Sequence, residues 1–365
     1  MYKNNTTNSK INSSNNLMIV TGSLNAGGLE RIVSNLANYY ADKGWNVRIV
    51  LLLSPEVFYK LNPSIEVVSF TDVRIKGKLS TAPKWIKFVK KNIDEFFPKS
   101  IVAMTFKIGA ITRIACKNKN IRIIVREIND PSIRSQFMNR ISDYFVGKCD
   151  GIIFQTNWER ICHSEKCQKI GHIIVNPVII PIEATFPKRK VIFTTSRLVI
   201  AQKSQDELIK AFKIVHESYP DYKLEIYGDG PDRVFLEKVV TDLELDNYVV
   251  FMGMKSNVHE CVKDAEIFAL TSKYEGLSNS LLESFLMGIP CITSDWHGAE
   301  EIIDNGIDGI IYKRNDINAL ADAIKFYIEN KEIALSYANK AIKKRNKYSL
   351  DKVICQWESI IEDFD

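Results

Sequence analysis

Asn176-Pro177-Val178-Ile179-Ile180-Pro181-Ile182-Glu183-Ala184-Thr185-Phe186-Pro187-Lys188-Arg189-Lys190 is the stretch on which the architecture of this chain turns. Three prolines interrupt it, a cluster of three basic residues expected to be exposed closes it, and no helical period runs through it. Such a segment reads as a linker, here 179–190. Before it, short β-branched runs alternate with amphipathic stretches from Leu17 onward. Leu17–Thr21, Val47–Leu53, Ile65–Phe70, Ile101–Thr105, Ile121–Arg126, Gly151–Gln155 and Ile173–Asn176 read as strands. Several are continuously apolar, as strands buried on both sheet faces should be. Gly28–Asp42, Ala82–Phe97 and Ser132–Gly147 read as helices between them. After the linker the alternation restarts, with strands at Val191–Ser196, Lys223–Tyr227, Tyr248–Met252, Ala265–Leu270, Ile289–Thr293 and Gly309–Tyr312. Helices at Ser204–Ser218, Pro231–Asp242 and Leu281–Gly288 intervene, and two helical stretches from about Asn315 close the chain. The pattern predicts an α/β protein with two doubly wound parallel-sheet domains, 17–178 and 191–346, facing across a cleft at the carboxyl edges of their strands.

Composition agrees with two domains. At 365 residues the chain exceeds the ~250–300 at which one core stops growing. No run of about 18 apolar residues exists to span a bilayer. Residues 1–16, mostly Asn, Ser, Thr and Lys, read as a disordered leader without the apolar segment of a signal peptide. Seven cysteines without paired spacing argue for a reducing compartment, the cytoplasm. Cys162-His163-Ser164-Glu165-Lys166-Cys167 invites a zinc reading, but no second Cys/His pair accompanies it, and helix-face or core cysteines fit as well. Residues 1–180 hold 26 Lys and Arg against 13 Asp and Glu, whereas the remainder holds 23 against 31. A basic first half suits an anionic partner, either a membrane surface or a phosphorylated acceptor. No nucleic-acid recognition signature is present.

The most informative chemistry lies in Lys273-Tyr274-Glu275-Gly276-Leu277-Ser278-Asn279-Ser280-Leu281-Leu282-Glu283. Small residues Ser278, Asn279 and Ser280 open a helix, where unpaired N–H groups and the positive dipole end make a phosphate site. Glu275 and Glu283, eight positions apart, bracket it, and carboxylates suit sugar hydroxyls. Ordinary solvated glutamates are the alternative. Arg197 follows a strand end and Lys203 the next turn, so both could neutralise a diphosphate, or be plain surface bases. Gly27 and Gly28 join the first strand to the first helix, and Gly228 lies in another strand-end loop; each lets backbone approach a phosphate or sugar. Arg126, Glu127 and Asn129 cluster at a strand's carboxyl end as candidate acceptor or donor-sugar contacts, while Asp130 before Pro131 could equally be a helix cap. Lys84, Lys87, Lys90 and Lys91, with Trp85, Phe88 and Phe96, mark either an interfacial membrane helix or an amphipathic helix with a solvated basic face.

Taken in order, these residues resemble the retaining GT-B glycosyltransferases of family four, especially those that assemble capsular and O-antigen polysaccharides. The likeness runs from Leu17 over nearly the whole chain. The family's glutamate-x7-glutamate motif is similar to Glu275–Glu283, its Ser-Arg-Leu and lysine to Ser196-Arg197-Leu198 and Lys203, and its glycine-rich loop to Gly27-Gly28-Leu29-Glu30-Arg31. Its Ser-Glu-Arg-Asn-Asp-Pro string is similar to Arg126-Glu127-Ile128-Asn129-Asp130-Pro131. Phe154-Gln155-Thr156, Asn176-Pro177 and Gly298-Ala299-Glu300-Glu301 resemble further family segments. The resemblance implies two Rossmann-like domains, an acceptor side at 17–178 and a nucleotide-sugar side at 191–346, with the helix at 347–365, containing Trp357, packing back on the first. It implies catalytic roles for Arg197, Lys203 and Glu275. Donor contacts would come from Gly27, Gly28, Gly228, Ser278, Asn279, Ser280 and Glu283. It implies no metal and no cofactor, because the cations stand in for a divalent ion. Many relatives carry a first-domain histidine near the donor sugar; none is assignable here, since His163 and His172 fall late in that domain.

The resulting expectation is a cytoplasmic, membrane-surface-associated transferase that moves a hexose or N-acetylhexosamine. The donor would be a nucleotide sugar, a UDP-sugar before a guanosine one, and the acceptor a polyprenol-linked saccharide. The basic first domain would meet the inner face of the cytoplasmic membrane. A UDP-sugar epimerase on the same scaffold, or a non-catalytic nucleotide-sugar-binding subunit, are the competing readings.

Overall fold

The computed structural model describes residues 15–363 except 26, 71–80, 118, 129, 181 and 187. The expected leader therefore lies outside the described residues up to position 14, while Asn16 already opens the first strand. Candidate Asn129 also lies outside them.

Two parallel sheets carry the chain. The first contains β1 (Asn16–Thr21), β2 (Asn46–Leu51), β3 (Glu66–Ser69), β4 (Ser100–Ala103), β5 (Arg122–Arg126), β6 (Gly151–Phe154) and β7 (Gly171–Ile173), in the order β3-β2-β1-β4-β5-β6-β7. The second contains β8 (Arg189–Thr195), β9 (Lys223–Tyr227), β10 (Val249–Gly253), β11 (Ala265–Leu270), β12 (Cys291–Ser294) and β13 (Ile310–Tyr312), in the order β10-β9-β8-β11-β12-β13. This is the GT-B arrangement. Strand order reverses at β1/β4 and at β8/β11, the points where open α/β sheets bind ligands.

Period-2 alternation sends each strand's side chains to two cores. From β1, Leu17 and Ile19 meet Val33 and Leu36 of the helix Gly28–Asp42. Met18 and Val20 meet Trp85 and Val89 of the helix Ala82–Phe96 on the other face. In the second sheet Ile192 packs with Leu208 and Phe212, and Phe193 with Leu281 and Phe285. Each such side chain, fully buried, contributes about 1.5–3 kcal/mol, so the cores outweigh any surface contact. The last helix, Leu350–Ile361, crosses back to the first sheet, where Trp357 and Ile361 join Leu17 and Ile19.

Several boundaries differ from expectation. Lys188-Arg189-Lys190 is not a free charge cluster: Arg189 opens β8, pairing with Glu225 and Asp264 at 2.8 Å each, and Lys190 pairs with Asp221 at 3.0 Å. The linker is docked too, Ala184 and Thr185 N–H donating to Met287 and Lys263 carbonyls at 2.9 and 2.8 Å. The stretch 132–147 divides into a 3₁₀ turn, Pro131–Ile133, and the helix Gln136–Val146, because extended Ser135 caps the latter by accepting Met138 N–H at 3.3 Å. Beyond Asn315 three α-helices follow instead of two, Ile317–Glu329, Lys331–Ile342 and Leu350–Ile361. The helix Phe106–Ala115, capped by Thr105, was not anticipated. In the helix Ala82–Phe96, Trp85 enters the core, with Phe88 and Phe96 packed against it. The solvated basic face is thus the reading that fits, and the aromatic-lysine membrane reading does not. No helix among the described residues is long and apolar enough to cross a membrane.

Candidate functional site

Because β8 and β11 are hydrogen-bonded neighbours, the loops leaving their carboxyl ends lie side by side. Main-chain groups zip them together: Lys273 N–H donates to the Gln202 carbonyl and Thr271 Oγ1 to that of Lys203, both at 2.7 Å. The chain reverses at Ser204, φ +47°, between the one-turn helix Ile200–Lys203 and the helix Gln205–Ser218. Lys203 thereby reaches Glu275 in an ion pair whose side chains are mostly buried, and Ser272 Oγ donates to the same carboxylate at 2.6 Å. Gln205, which sequence reasoning passed over, anchors the preceding loop through Nε2 to Ser196 Oγ at 2.9 Å and to the Arg197 carbonyl at 2.8 Å. Its position directly after Lys203-Ser204 was the available signal.

Arg197 lines a cavity of about 530 Å³ with Ser196, Gly228 and Val258. Gly228 has φ +125°, and a Cβ there would collide with the Ser196 carbonyl, so only glycine lets these strand-end loops touch. Residue 259, next to Val258, is a histidine whose Nε2 stands 3.2 Å from Glu283 Oε2. That short helix, Val258–Val262, joins the Arg197 cavity to the Glu275–Glu283 segment. Nothing in the sequence had marked His259.

The helix Asn279–Met287 starts at Ser278, whose hydroxyl accepts Leu281 N–H at 3.4 Å and meets Ser280 Oγ at 3.3 Å. Its first-turn N–H groups face the cleft with the positive end of the dipole. Across the cleft, Gly28 abuts the Asn279 amide so closely that any Cβ would overlap it. Asn176 Nδ2 donates to Asn279 Oδ1 at 2.8 Å, and Arg31 Nη2 meets Glu283 Oε1 at 2.8 Å. Burial pushes the Glu283 carboxyl up, but hydrogen bonds from His259 and Arg31 outweigh it and hold it below the usual range. Glycine loop, helix start and carboxylate pair thus share one cleft.

On the first-domain side a cavity of about 480 Å³ is walled by Thr21, Ser23, Thr105, Lys107, Glu127 and Arg134. Glu127 is ion-paired with Arg134 and accepts Ile128 N–H at 2.8 Å. Arg126 corrects the expectation of an acceptor contact. It is wholly buried, bonded to Asn176, with its guanidinium 5.4 Å above the Trp357 ring. The last residue of β5 points under the sheet edge toward the returning C-terminal helix, away from the cavity. Burial lowers its guanidinium to about 10. Asp130 accepts Ser132 N–H at 2.9 Å, the capping alternative, and also accepts Trp158 Nε1–H at 3.3 Å. Trp158 in turn stacks on His297 of the second domain at 3.9 Å. Glu301 receives the Asn157 and Trp158 N–H groups at 2.8 and 3.1 Å, fastening the domains at this rim. No group of three His, Cys, Asp or Glu side chains among the described residues is arranged to hold a metal ion, Cys162 and Cys167 included.

Residues 176–344 match the family model described as "Glycosyl transferases group 1". An uncharacterized glycosyltransferase of Haemophilus influenzae is 23% identical over 349 residues, covering 92% of this chain and 96% of the relative. The Campylobacter jejuni "GalNAc-alpha-(1->4)-GalNAc-alpha-(1->3)-diNAcBac-PP-undecaprenol alpha-1,4-N-acetyl-D-galactosaminyltransferase" is 26% identical over 364 residues, covering 95% of this chain and 98% of the relative. Among solved structures, Anabaena HepE in complex with UDP and glucose superposes with a TM-score of 0.79 at 20% identity, covering 95% of this chain and 99% of that one.

Proposed function

We propose, this chain being a glycosyltransferase of the GT-B fold, that it moves a hexose or N-acetylhexosamine from a UDP-sugar, with retention, to a lipid-linked saccharide in cell-surface polysaccharide assembly. One observation carries the reading: the Lys203–Glu275 pair and the Ser278-capped helix start occupy neighbouring loops of one sheet's switch point and face the Gly27–Gly28 loop across the cleft. A diphosphate seated at the helix start meets Lys203 and Arg197 as counter-charges. The bond between anomeric carbon and phosphate oxygen breaks with its electron pair leaving on the nucleotide, and the two cations favour that charge. The acceptor hydroxyl attacks from the face the nucleotide leaves, and its proton passes to the departing phosphate. Glu275 takes hydroxyls of the transferred sugar, Glu283 those of the ribose, and no metal is required. The Campylobacter relative's undecaprenol-linked acceptor and the UDP bound to HepE support the substrate classes.

The acceptor's lipid calls for a membrane surface on the first domain. The helix Gln136–Val146 turns Phe137, Ile141 and Tyr144 outward at three- and four-residue spacing, with Arg140 and Lys148 exposed beside them. That stripe fits an anionic bilayer interface.

The test is binding and turnover with a panel of UDP- and GDP-sugars. A thermal shift for UDP-sugars, and transfer that persists in EDTA, are expected; sugar conversion without any acceptor would reveal an epimerase, and binding without turnover a non-catalytic subunit. Sedimentation with phosphatidylglycerol vesicles should fall when Phe137 and Tyr144 become serine.

A further inference from the structure

We propose that Lys188 is an acylation site, its ε-amine taking a short straight acyl chain from an acyl thioester into an apolar cavity at the amino edge of the second sheet. The proposal stands apart from the transferase reading. The cavity lies where β11 and β12 begin, whereas the Glu275–Glu283 segment lies beyond the carboxyl end of β11.

This cavity, about 420 Å³, falls within the ~300–1,000 Å³ of small-molecule sites. The linker brings Phe186 and Lys188 to it, β11 supplies Ile267, and Pro290 stands just before β12. Tyr327 of the helix Ile317–Glu329 and Leu335 of the helix Lys331–Ile342 complete the apolar wall. Ile267 and Tyr327 are buried while Phe186 and Leu335 are exposed, so the space has an apolar floor and opens to solvent. Lys188 Nζ sits 5.0 Å from the centroid of the Phe186 ring, which puts the amine at this wall.

The amine is poorly held there. Nζ donates to the Lys263 carbonyl at 3.4 Å, a long bond, and that oxygen already accepts Thr185 N–H at 2.8 Å. Arg189 and Lys190 hold carboxylates, but Lys188 holds none among the described residues. Of the charged groups facing it, Asp264 is taken by Arg189 at 2.8 Å. Glu266 pairs with Lys331 at 3.4 Å and accepts the Tyr222 hydroxyl at 2.8 Å. Glu332, on the same helix as Lys331, is exposed at the cavity wall. Burial therefore prevails over the pull of Asp264 and Glu266 and lowers the Lys188 ammonium to about 8.

At pH 7.5 such an amine is about one-quarter unprotonated, against roughly a thousandth for an ordinary lysine near ~10.4. The neutral nitrogen is the nucleophile. It bonds to the thioester carbonyl carbon, the carbon–sulfur bond breaks, and the thiolate leaves with the electron pair. The nitrogen gives its proton to water, from which the thiolate is free to recover one. An amide remains, so no oxidant or reductant is involved. Acylation removes a charge that the apolar wall disfavours, keeps an N–H for the Lys263 carbonyl, and lays the chain against Ile267 and Leu335. Longer chains, up to the capacity of the cavity, cover more of that apolar surface.

The experiment treats the full chain with the hexanoyl and acetyl thioesters of N-acetylcysteamine and follows each lysine by peptide mass spectrometry. At pH 7.5 the hexanoyl probe should label Lys188 about tenfold or more faster than the exposed Lys91 and Lys190. Hexanoyl should outpace acetyl by about tenfold at Lys188 and by little at the exposed lysines. The Lys188 rate should level off above its midpoint of about 8, while the others keep rising to about pH 10. Leu335→Trp, a change at an exposed helix position that narrows the opening, should abolish the chain-length preference and leave the pH midpoint in place. Labelling of Lys188 no faster than that of Lys91, or equal rates for the two chains in the unmutated protein, overturns the proposal. So does a hexanoyl preference that survives in a folded Leu335→Trp. None of these outcomes bears on sugar transfer, which the UDP-sugar panel tests separately.

Discussion

Glu283 of the second domain is gripped by Arg31 of the first, Nη2 to Oε1 at 2.8 Å, while its other oxygen faces His259. A ribose hydroxyl that bonds to Oε1 along the direction Arg31 occupies displaces that guanidinium. A partly exposed pair of this kind is worth about 0.5–1 kcal/mol. Arg31→Ala is therefore expected to tighten UDP about two- to fivefold by calorimetry, whereas Glu283→Gln should weaken it. Weaker UDP binding by Arg31→Ala would mean that Arg31 contacts the nucleotide instead of competing with it.

Lys203 and Glu275 form one mostly buried pair, so removing either partner leaves a charge without its counter-charge. Lys203→Ala and Glu275→Ala should each lower kcat by about a hundredfold or more while circular dichroism still reports a folded chain. Full activity in either variant would remove the pair from the catalytic site.

A Cβ on Gly276 would come 2.5 Å from the Ile128 carbonyl oxygen and 3.0 Å from Gln155 Nε2, both across the domain boundary. Gly276→Ala should hold the cleft ajar without unfolding either domain. We expect a larger radius of gyration in solution scattering and kcat/KM reduced on the order of tenfold, as for a mispositioned reacting group. Wild-type scattering and activity together would mean that the cleft need not close this tightly.

Burial, and then the neighbouring Glu127 carboxylate, push Glu159 up to about 8. Its folded-state value lies above the unfolded one near ~4.3, so its contribution is fully present below that pH and is lost as pH rises through about 8. His163, also raised, acts in the same sense from near neutrality upward. The melting temperature should fall between pH 5 and pH 9, and Glu159→Gln, which can still accept the Gln155 N–H bond, should flatten that fall. Parallel curves for the two proteins would refute the assignment.

Trp357 is 1% exposed between the first sheet and Arg126. Trp357→Ala should cost about 3–5 kcal/mol, concentrated in the first domain. Calorimetry should then show that domain melting earlier and the second domain unchanged.

Legibility followed physics. Continuous apolar runs such as residues 267–270, recurring between amphipathic stretches, read as strands covered on both faces, so strand number, the two-domain division and the span Gly28–Asp42 could be read from residue order. Boundaries set by side-chain grips could not: Arg189 enters β8 only because Glu225 and Asp264 come to it from distant strands. The same limit hid Gln205 and His259, whose partners are other loops.

What residue order alone determined was the repeating pattern of apolar stretches, the break at 177–190, and which residue types open the helix at Ser278, since periodicity and capping are local. Only the folded chain decided that Lys203 meets Glu275, that Arg31 covers Glu283, and that Arg126 turns inward beneath Trp357 while Glu127 faces a cavity. Those outcomes depend on strand order and on the return of the last helix. They join positions up to more than two hundred residues apart, as with Arg126 and Trp357, and no local preference encodes a partner at that range.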